Sequence, residues 1–405
     1  MERTPVKLLF RTALPACLAC LGLFGPLLLA QTSPRNAALA LEQQGQTVEA
    51  EQAWRAILQA HPHNAEALAH IGLLEARQDH YDEAIRSYRA ALAIAPNFPG
   101  LELNLGLAYF KNRQFHEAVP AFTQALRRQP GDLRLTILIG MAHYGVGEYG
   151  PAVPWLQQAV NRDPGNLTLR LTLAQSCLWS KHYQCVLDDY KKILAIDPNS
   201  APADMLAGEA LDSMGDNAGA LAQFRAAVEA DPKEPNVHFG LAYLLMTQKQ
   251  FAEAAKEFQA ELDNDPSRAQ ARVYMADCYI HMNDSQKAQP ELERALHDDP
   301  SIELGHLDLG IIYASENRRE EAVAQLREAI KLDPKDADPH WRLARLYQAM
   351  GQTEAARAEF TLVSKMKREA DQSLYQRISG ADQHRQPASS PSDAPGSGAA
   401  PANPQ

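Results

Sequence analysis

Apolar residues along this chain recur at spacings of three and four, in two runs that come back at a constant interval. One stretch has Leu105 and Tyr109, then a polar segment at 111–114, and then Ala118 and Phe122. Such spacings are typical of amphipathic helices, because 3.6 residues complete a turn and bring these side chains to one face. The pattern therefore predicts a repeat of two helices joined by a short turn.

Prolines divide the chain into repeats of constant length. Nine prolines follow one another at a single interval, which is the interval from Pro62 to Pro96. Because the residue before a proline is pushed out of the α region, each of them is expected to end the second helix of its repeat. A constant period of this size is typical of stacked repeats that cannot bury their apolar faces alone. The nine are Pro62, Pro96, Pro130, Pro164, Pro198, Pro232, Pro266, Pro300 and Pro334.

Three positions in each repeat have a constant size. Counting back from the proline, the residue 24 places earlier is Ala or Gly, and the residue 12 places earlier is Ala or Val. Eight places earlier stands a large apolar residue such as Trp54, Phe122 or Leu326. Small residues let two helices approach closely, and the large residue fills the space between them. The pattern therefore predicts tightly packed helical pairs.

The repeats define the domain organisation. A tenth repeat follows in the same frame, with Arg368 in place of the proline, so the array is predicted to cover residues 31–370. Because terminal repeats need a cover, residues 371–379 are expected to form a capping helix. Residues 380–405 are rich in Pro, Ser and Ala and poor in apolar bulk, which predicts a disordered tail.

The repeat resembles the tetratricopeptide repeat (TPR), in which Leu-Gly is followed by Tyr, Ala, an aromatic residue and Pro. The resemblance covers most of the chain and implies an all-α fold. That fold is an α-solenoid, a right-handed superhelix of ten tandem 34-residue helix-turn-helix repeats. Glu75 and His143 stand where Tyr is expected, which affects local packing rather than the fold. The pattern is reproduced by Leu105, Gly106, Tyr109, Ala118, Phe122 and Pro130, and by Leu309, Gly310, Tyr313, Ala322, Leu326 and Pro334.

Composition and motifs argue against a nucleic-acid partner and against an enzyme. The net charge is -11, whereas binding to phosphates depends on clustered Lys and Arg. The array leaves no room for a separate catalytic domain. A G-x-G-x-x-G at 145–150 falls between two helices, where no strand precedes it as a nucleotide site requires. His61 and His63 have no third ligand nearby. We therefore expect no catalytic residues, no metal and no cofactor.

Residues 1–30 resemble an export signal, with basic residues followed by an apolar run at 12–30 that ends at Ala30. A cleaved signal peptide and an uncleaved signal anchor both fit this pattern, and a lipid-modified Cys17 or Cys20 is a third alternative. The protein would touch the membrane only through 12–30, and only if the signal is uncleaved. In each case the array is expected in the bacterial periplasm or cell envelope, or secreted.

Two of the three cysteines beyond residue 30 stand eight positions apart, on successive predicted helices. Cys177 and Cys185 can form a disulfide if their Cα atoms lie within about 7 Å. They can also pack as small buried thiols. The sequence leaves both interpretations open.

The resemblance implies that the first helix of each repeat lines the concave side of the superhelix, where peptides bind. We call its lining positions, at i, i+4 and i+7, the groove face. Most are apolar or aromatic, as in a binding surface, although neighbouring first helices could bury part of them. Glu209 and Asp212 are polar exceptions. The predicted partner-binding residues are Leu103, Leu107, Phe110, Ile137, Met141, Tyr144, Trp179, Phe239, Tyr243, Met246, Trp341 and Arg345.

These observations predict a non-enzymatic scaffold that binds a protein or peptide in an apolar, aromatic-rich groove. The alternative is a membrane-tethered component of an envelope assembly or secretion complex. Both predict a protein partner, and they differ in whether residues 12–30 remain attached.

Overall fold

The computed structural model describes residues 33–379, with side chains described as far as residue 372. Within 33–379 the chain forms twenty α-helices and no β-strand. The predicted signal segment 1–30 and the predicted tail 380–405 lie outside the described residues. The helices are α1 (Pro34–Gln43), α2 (Thr47–Ala60), α3 (Ala65–Arg77), α4 (Tyr81–Ile94), α5 (Leu101–Lys111), α6 (Phe115–Arg128), α7 (Leu133–Val146), α8 (Tyr149–Arg162), α9 (Leu167–Trp179), α10 (Tyr183–Leu194), α11 (Ala201–Ser213), α12 (Asn217–Ala230), α13 (Val237–Thr247), α14 (Phe251–Asn264), α15 (Ala269–His281), α16 (Ser285–Asp298), α17 (Glu303–Ser315), α18 (Arg319–Leu332), α19 (Ala337–Ala349) and α20 (Thr353–Ser379).

The helices alternate between first and second helices of the repeats, with odd numbers for the first and even numbers for the second. This confirms the predicted all-α fold of helix-turn-helix repeats. The structure divides into two compact blocks, an amino-terminal block up to Trp155 and a carboxy-terminal block from Leu156. In the carboxy-terminal block each first helix from α11 to α19 packs against its own second helix and against the neighbouring first helix.

The small and large positions of the repeat meet inside each hairpin. A Cβ atom added at Gly106 of α5 would lie 2.6 Å from ring atoms of Phe122 on α6. A Cβ at Gly310 of α17 would likewise lie 2.8 Å from the Cγ atom of Leu326 on α18. Both distances are shorter than van der Waals contact, so the large side chain packs directly on the glycine backbone. This is the close approach that the sequence pattern predicts.

Every hairpin turn has the same backbone conformation. One residue in the turn has a positive φ, and the next residue donates its N–H to a carbonyl five residues earlier, as Gln114 does to Tyr109 at 2.9 Å. This bond ends the first helix and satisfies a carbonyl that would otherwise lack a partner. The positive-φ residues are Gly45, Asp79, Arg113, Gly147, Lys181, Gly215, Lys249, Asn283, Asn317 and Gly351.

The carboxyl end of the array differs from the predicted capping helix at 371–379. These residues continue α20, a single helix of 27 residues, instead of forming a separate element. Arg368 replaces the proline that ends the second helix in the other repeats, so nothing interrupts the helix. The described side chains at 367–372 are all exposed and therefore do not cover the last repeat.

No helix within residues 33–379 is both long enough and apolar enough to cross a bilayer.

Candidate partner-binding site

Side-chain pairs that join the two helices of a hairpin fix the orientation of several first helices. In five repeats of the carboxy-terminal block, an Arg or His of the first helix contacts an Asp, Glu or Gln 19 positions later on the second helix. The buried pair Arg170–Asp189, at 2.7 Å, also has Arg170 donating to the carbonyl of Pro164. The other pairs are His238–Glu257, Arg272–Glu291, His306–Gln325 and His340–Glu359, each at 2.6 or 2.7 Å.

The predicted groove residues differ in exposure. Most of them are half-buried, because neighbouring first helices share the burial of these side chains. Four are exposed, among them Trp179 at 44%, Tyr243 at 43% and Trp341 at 40%. The half-buried residues are Leu103, Leu107, Phe110, Ile137, Met141, Tyr144, Phe239 and Met246, and the fourth exposed residue is Arg345.

In the amino-terminal block the groove face contains a small cavity between α3 and α5. Its volume is about 200 Å³, and its walls include Leu73, Leu107 and Asn104. Arg77 and Lys111 also line it. The cavity therefore combines an apolar floor with cationic side chains.

Two predicted aromatic residues of the amino-terminal block pack on other rings. The Phe110 ring lies 5.1 Å from that of Phe115, edge to face, and 6.3 Å from that of Phe122. Tyr144 packs edge to face on Tyr149, with 5.7 Å between the ring centroids. Burial raises the pKa of the Tyr144 hydroxyl. Both rings therefore contribute to the packing between helices as well as to the groove face.

An aromatic cluster occupies the groove face at α13 to α15. Phe239 packs on Phe258 and Tyr274, with centroids 5.6 and 5.8 Å apart, and the Arg268 guanidinium covers its ring at 4.1 Å. Tyr243 packs edge to face on Tyr274 at 5.7 Å. Phe239 is thus half-buried within the cluster, whereas Tyr243 is its exposed outer member.

A second groove-face cavity lies between α17 and α19. Its volume is about 380 Å³, and Ile311 and Ala314 of α17 form one wall. Trp341, Arg342 and Arg345 of α19 form the other wall. The Arg345 guanidinium lies 5.1 Å from the centroid of the Trp341 ring. The structure thus brings two predicted site residues together at one cavity.

Trp179 and the cysteines lie at the turn between α9 and α10. A disulfide joins Cys177 and Cys185, whose Cα atoms are 5.9 Å apart, and so links the end of α9 to the start of α10. Leu178 occupies the lining position of this repeat but is buried. Trp179 is exposed one residue further on, at the last position of α9.

Two aspartates near the groove face were not among the predicted site residues. Asp277 on α15 occupies the position that Tyr243 has one repeat earlier, and desolvation raises its pKa. Asp308 on α17 is only 2% exposed. Its burial, and then the charge of Asp277, raise its pKa well above the ordinary value. The constant repeat length could have placed Asp277 on this face, whereas no sequence signal shows that Asp308 is buried.

The chemistry of the described residues is that of a binding surface. Cys278 is a free thiol, but burial raises its pKa to about 12, so it stays protonated and is a weak nucleophile. Among the described residues, no group of three or more His, Cys, Asp or Glu is placed to hold a metal ion. What the groove face offers instead are aromatic rings, guanidinium groups and carboxylates.

Models of the tetratricopeptide repeat match residues 103–166 and 205–269, and another matches 245–307. Two further models match 72–112 with 310–351, and 337–369. Together these matches span more than half of the 405 residues. The chain belongs to the tetratricopeptide repeat family. A comparison with curated protein sequences found no match.

Several solved TPR structures are similar to this TPR protein at low identity. MamA is 18% identical, with 41% of this chain and 96% of MamA covered and a TM-score of 0.37. YrrB, described as a TPR protein with an unusual peptide-binding site, is 18% identical, with coverage of 47% and 97% and a TM-score of 0.38. A human IFIT1 dimer with m7Gppp-AAAA is 14% identical, with coverage of 82% and 88% and a TM-score of 0.41.

Proposed function

We propose that this TPR protein is a non-enzymatic scaffold that binds a protein or peptide along its groove face. The observation that carries the proposal is the exposure of Tyr243 and Trp341 there. Large aromatic residues of the hairpin cores are enclosed by comparison, and Trp54 and Phe122 are fully buried. Large rings contribute strongly to binding when a partner covers them, and exposed rings on this face are therefore suited to that role.

The prediction for this surface concerns Tyr243→Ala and Trp341→Ala. The full-length protein is used to select binders from a displayed library of random peptides, and the affinity of the selected peptides is then measured. We expect each substitution to weaken the peptides that bind at its own ring by about tenfold or more, because aromatic anchors commonly dominate binding. The thermal unfolding midpoint should stay within a few degrees, since both rings are exposed.

The matched control is Leu332→Ala, which removes an exposed apolar side chain at the end of α18, away from the groove face. It should leave peptide affinity unchanged. A library that yields no binder, or binders that tolerate both aromatic substitutions, would contradict the proposed function.

We also propose that the array is exported, to the bacterial periplasm or cell envelope or to the medium. Two features support this: the apolar segment 12–30 behind basic residues, and the disulfide between Cys177 and Cys185. Structural disulfides persist mainly in oxidising compartments. Fractionation followed by amino-terminal sequencing tests the proposal.

A mature chain that begins at Gln31 is the expected result and indicates a cleaved signal. A membrane-bound chain that retains 12–30 would instead favour the tethered envelope component. Recovery of the full-length protein from the cytoplasm would refute export in either form.

A further inference from the structure

Three side chains occupy the same groove-face position on successive first helices of the carboxy-terminal block. They are Glu209 on α11, Tyr243 on α13 and Asp277 on α15, each one repeat length after the last. Helix α13 packs against both α11 and α15, so the three side chains form one row. The row thus has a carboxylate on each side of an exposed ring.

The cationic groups of these helices are already engaged within the protein. His238 contacts Glu257, Arg272 contacts Glu291, and Arg268 pairs with Glu261. Arg268 also covers the ring of Phe239 on the groove face. In the row itself, His281 of α15 lies 3.6 Å from Asp277 and is positively charged only when protonated. The row therefore keeps an excess of negative charge when His281 is neutral.

The first carboxylate of the row, Glu209, is open to a partner. The residue is exposed, yet desolvation raises the pKa of its carboxyl. Asp277 has a similarly raised pKa, although His281 lies 3.6 Å away. A partner cation that paired with the half-buried Asp277 would be screened less by water than one at a fully exposed carboxylate.

Asp308 is a buried carboxyl that interacts with Asp277 and lacks a full set of hydrogen-bond partners. It is only 2% exposed, and its Oδ2 atom has no hydrogen-bond partner among the described residues. The charged groups around it are Asp277 of α15, Glu303 of its own helix, and Asp338 and Arg342 of α19. Arg342 is the only cation of this set, and its Nε already donates to Asp338 at 2.8 Å. A buried carboxyl with an unsatisfied oxygen is costly unless a cation or donor compensates it.

The spacing of the row limits the kind of partner. Packed helices lie about 8–10 Å apart, so two steps from α11 to α15 cover about 16–20 Å. An extended chain advances about 3.3 Å per residue, so this distance corresponds to about five or six residues.

We propose that the carboxy-terminal block binds an extended basic peptide that places one cationic side chain on Glu209 and a second on Asp277, with an intervening residue packed on Tyr243. The proposal rests on the proposed function, since it names the partner chemistry of the same surface. A carboxylate on each side of an aromatic ring suits arginine or lysine, because either side chain can pair with a carboxylate and stack on the ring.

Fluorescence anisotropy with synthetic peptides and the full-length protein tests the inference. The probe carries two arginines about five residues apart with a leucine between them. One comparison peptide has glutamines in place of the arginines, and another has the two arginines adjacent. We expect only the spaced probe to bind tightly, and its affinity to fall as the salt concentration rises.

Variants of the protein then identify the carboxylates. Glu209→Gln and Asp277→Asn should each weaken the spaced probe by about tenfold, the loss expected for one charge-assisted hydrogen bond. The matched control Glu229→Gln removes an exposed carboxylate from the second helix α12 and should leave binding within about twofold, because surface charges act weakly at a distance.

The outcomes separate this inference from the proposed function. If E209Q and D277N bind the spaced probe like the unsubstituted protein, or if the glutamine peptide binds equally well, the basic-peptide inference is wrong. The proposed function still stands in that case if library peptides lose affinity on Tyr243→Ala or Trp341→Ala. If these aromatic substitutions also have no effect on any bound peptide, both proposals fail.

Discussion

At the scale of single residues, the groove face combines side chains that the same spacing places together but that play different roles. Phe239 and Tyr243 lie one helical turn apart on α13, yet the first ring is half-buried against two other rings and the second is exposed. Asp308 is a third kind of residue, a buried carboxyl beside the groove face with no compensating donor on one oxygen. These differences arise from the neighbouring helices, since each side chain's environment depends on what packs on it.

Asp308 should make the stability of the protein depend on pH. Because its pKa in the folded state lies well above the ordinary value of 3.8, the folded state keeps a proton that the unfolded state has released. The free energy of unfolding therefore falls as pH rises from this value towards the raised pKa, and stays lower above it. Asp308→Asn removes this loss of stability. At neutral pH the variant should therefore melt several degrees higher than the unsubstituted protein, and the two should differ little at pH values below the ordinary pKa of the carboxyl.

Thermal unfolding over a range of pH measures this effect. The control Glu320→Gln, at an exposed position on α18, should follow the unsubstituted protein at every pH. A lower melting temperature for D308N at neutral pH would mean that the carboxylate has a stabilising partner, contrary to the environment described above.

At the scale of elements, the hairpin is the constant unit, and its turn is more constant than its sequence. The left-handed position is occupied by glycine in some repeats and by Asp, Asn, Arg or Lys in others. The conformation is nevertheless the same, because the hydrogen bond that ends the first helix requires it. Repeats with a lysine or arginine at this position therefore carry backbone strain that the packing of the hairpin outweighs.

This strain predicts opposite effects for two substitutions at equivalent positions. Lys249 has φ 61° and is exposed, so Lys249→Gly should raise the free energy of unfolding by about 0.5–1 kcal/mol. Gly215 has φ 83°, and a Cβ atom there would meet nothing within 4 Å. Gly215→Ala should therefore lower stability by about 1 kcal/mol through the backbone alone. Denaturant unfolding of both variants checks the pair, and a change of the same sign in both would contradict the explanation.

At the scale of the whole molecule, ten repeats share one frame of core positions, and the groove-face positions vary between them. The core positions keep the same sizes, so one repeat packs like another. The groove face instead changes from the cationic side chains of the cavity between α3 and α5 to the acid and tyrosine row on α11 to α15. The net charge of -11 does not show this change, because it sums over both surfaces. The two blocks thus offer different chemistry to partners.

Much of the packing within the hairpins could be predicted from the sequence, because the residues that pack together lie close along the chain. Gly106 and Phe122 could be paired in advance, because they lie on consecutive helices joined by a short turn of constant length. The end of the last helix was harder to predict, since a helix that no proline or glycine terminates can end at many positions. The bridge between Cys177 and Cys185 was likewise one of two alternatives, because only the distance between the helices distinguishes them.

The sequence by itself determined the number of repeats, the all-α fold and the positions of the packing residues, because the constant repeat length and the helical spacing are local properties of the chain. It also placed Glu209 and Tyr243 on one face. Tertiary structure was needed to show that Tyr243 is exposed, that Phe239 is half-buried among other rings and that Asp308 is buried without a full set of partners. Exposure and desolvation depend on side chains from neighbouring helices, and these come together only when the repeats stack.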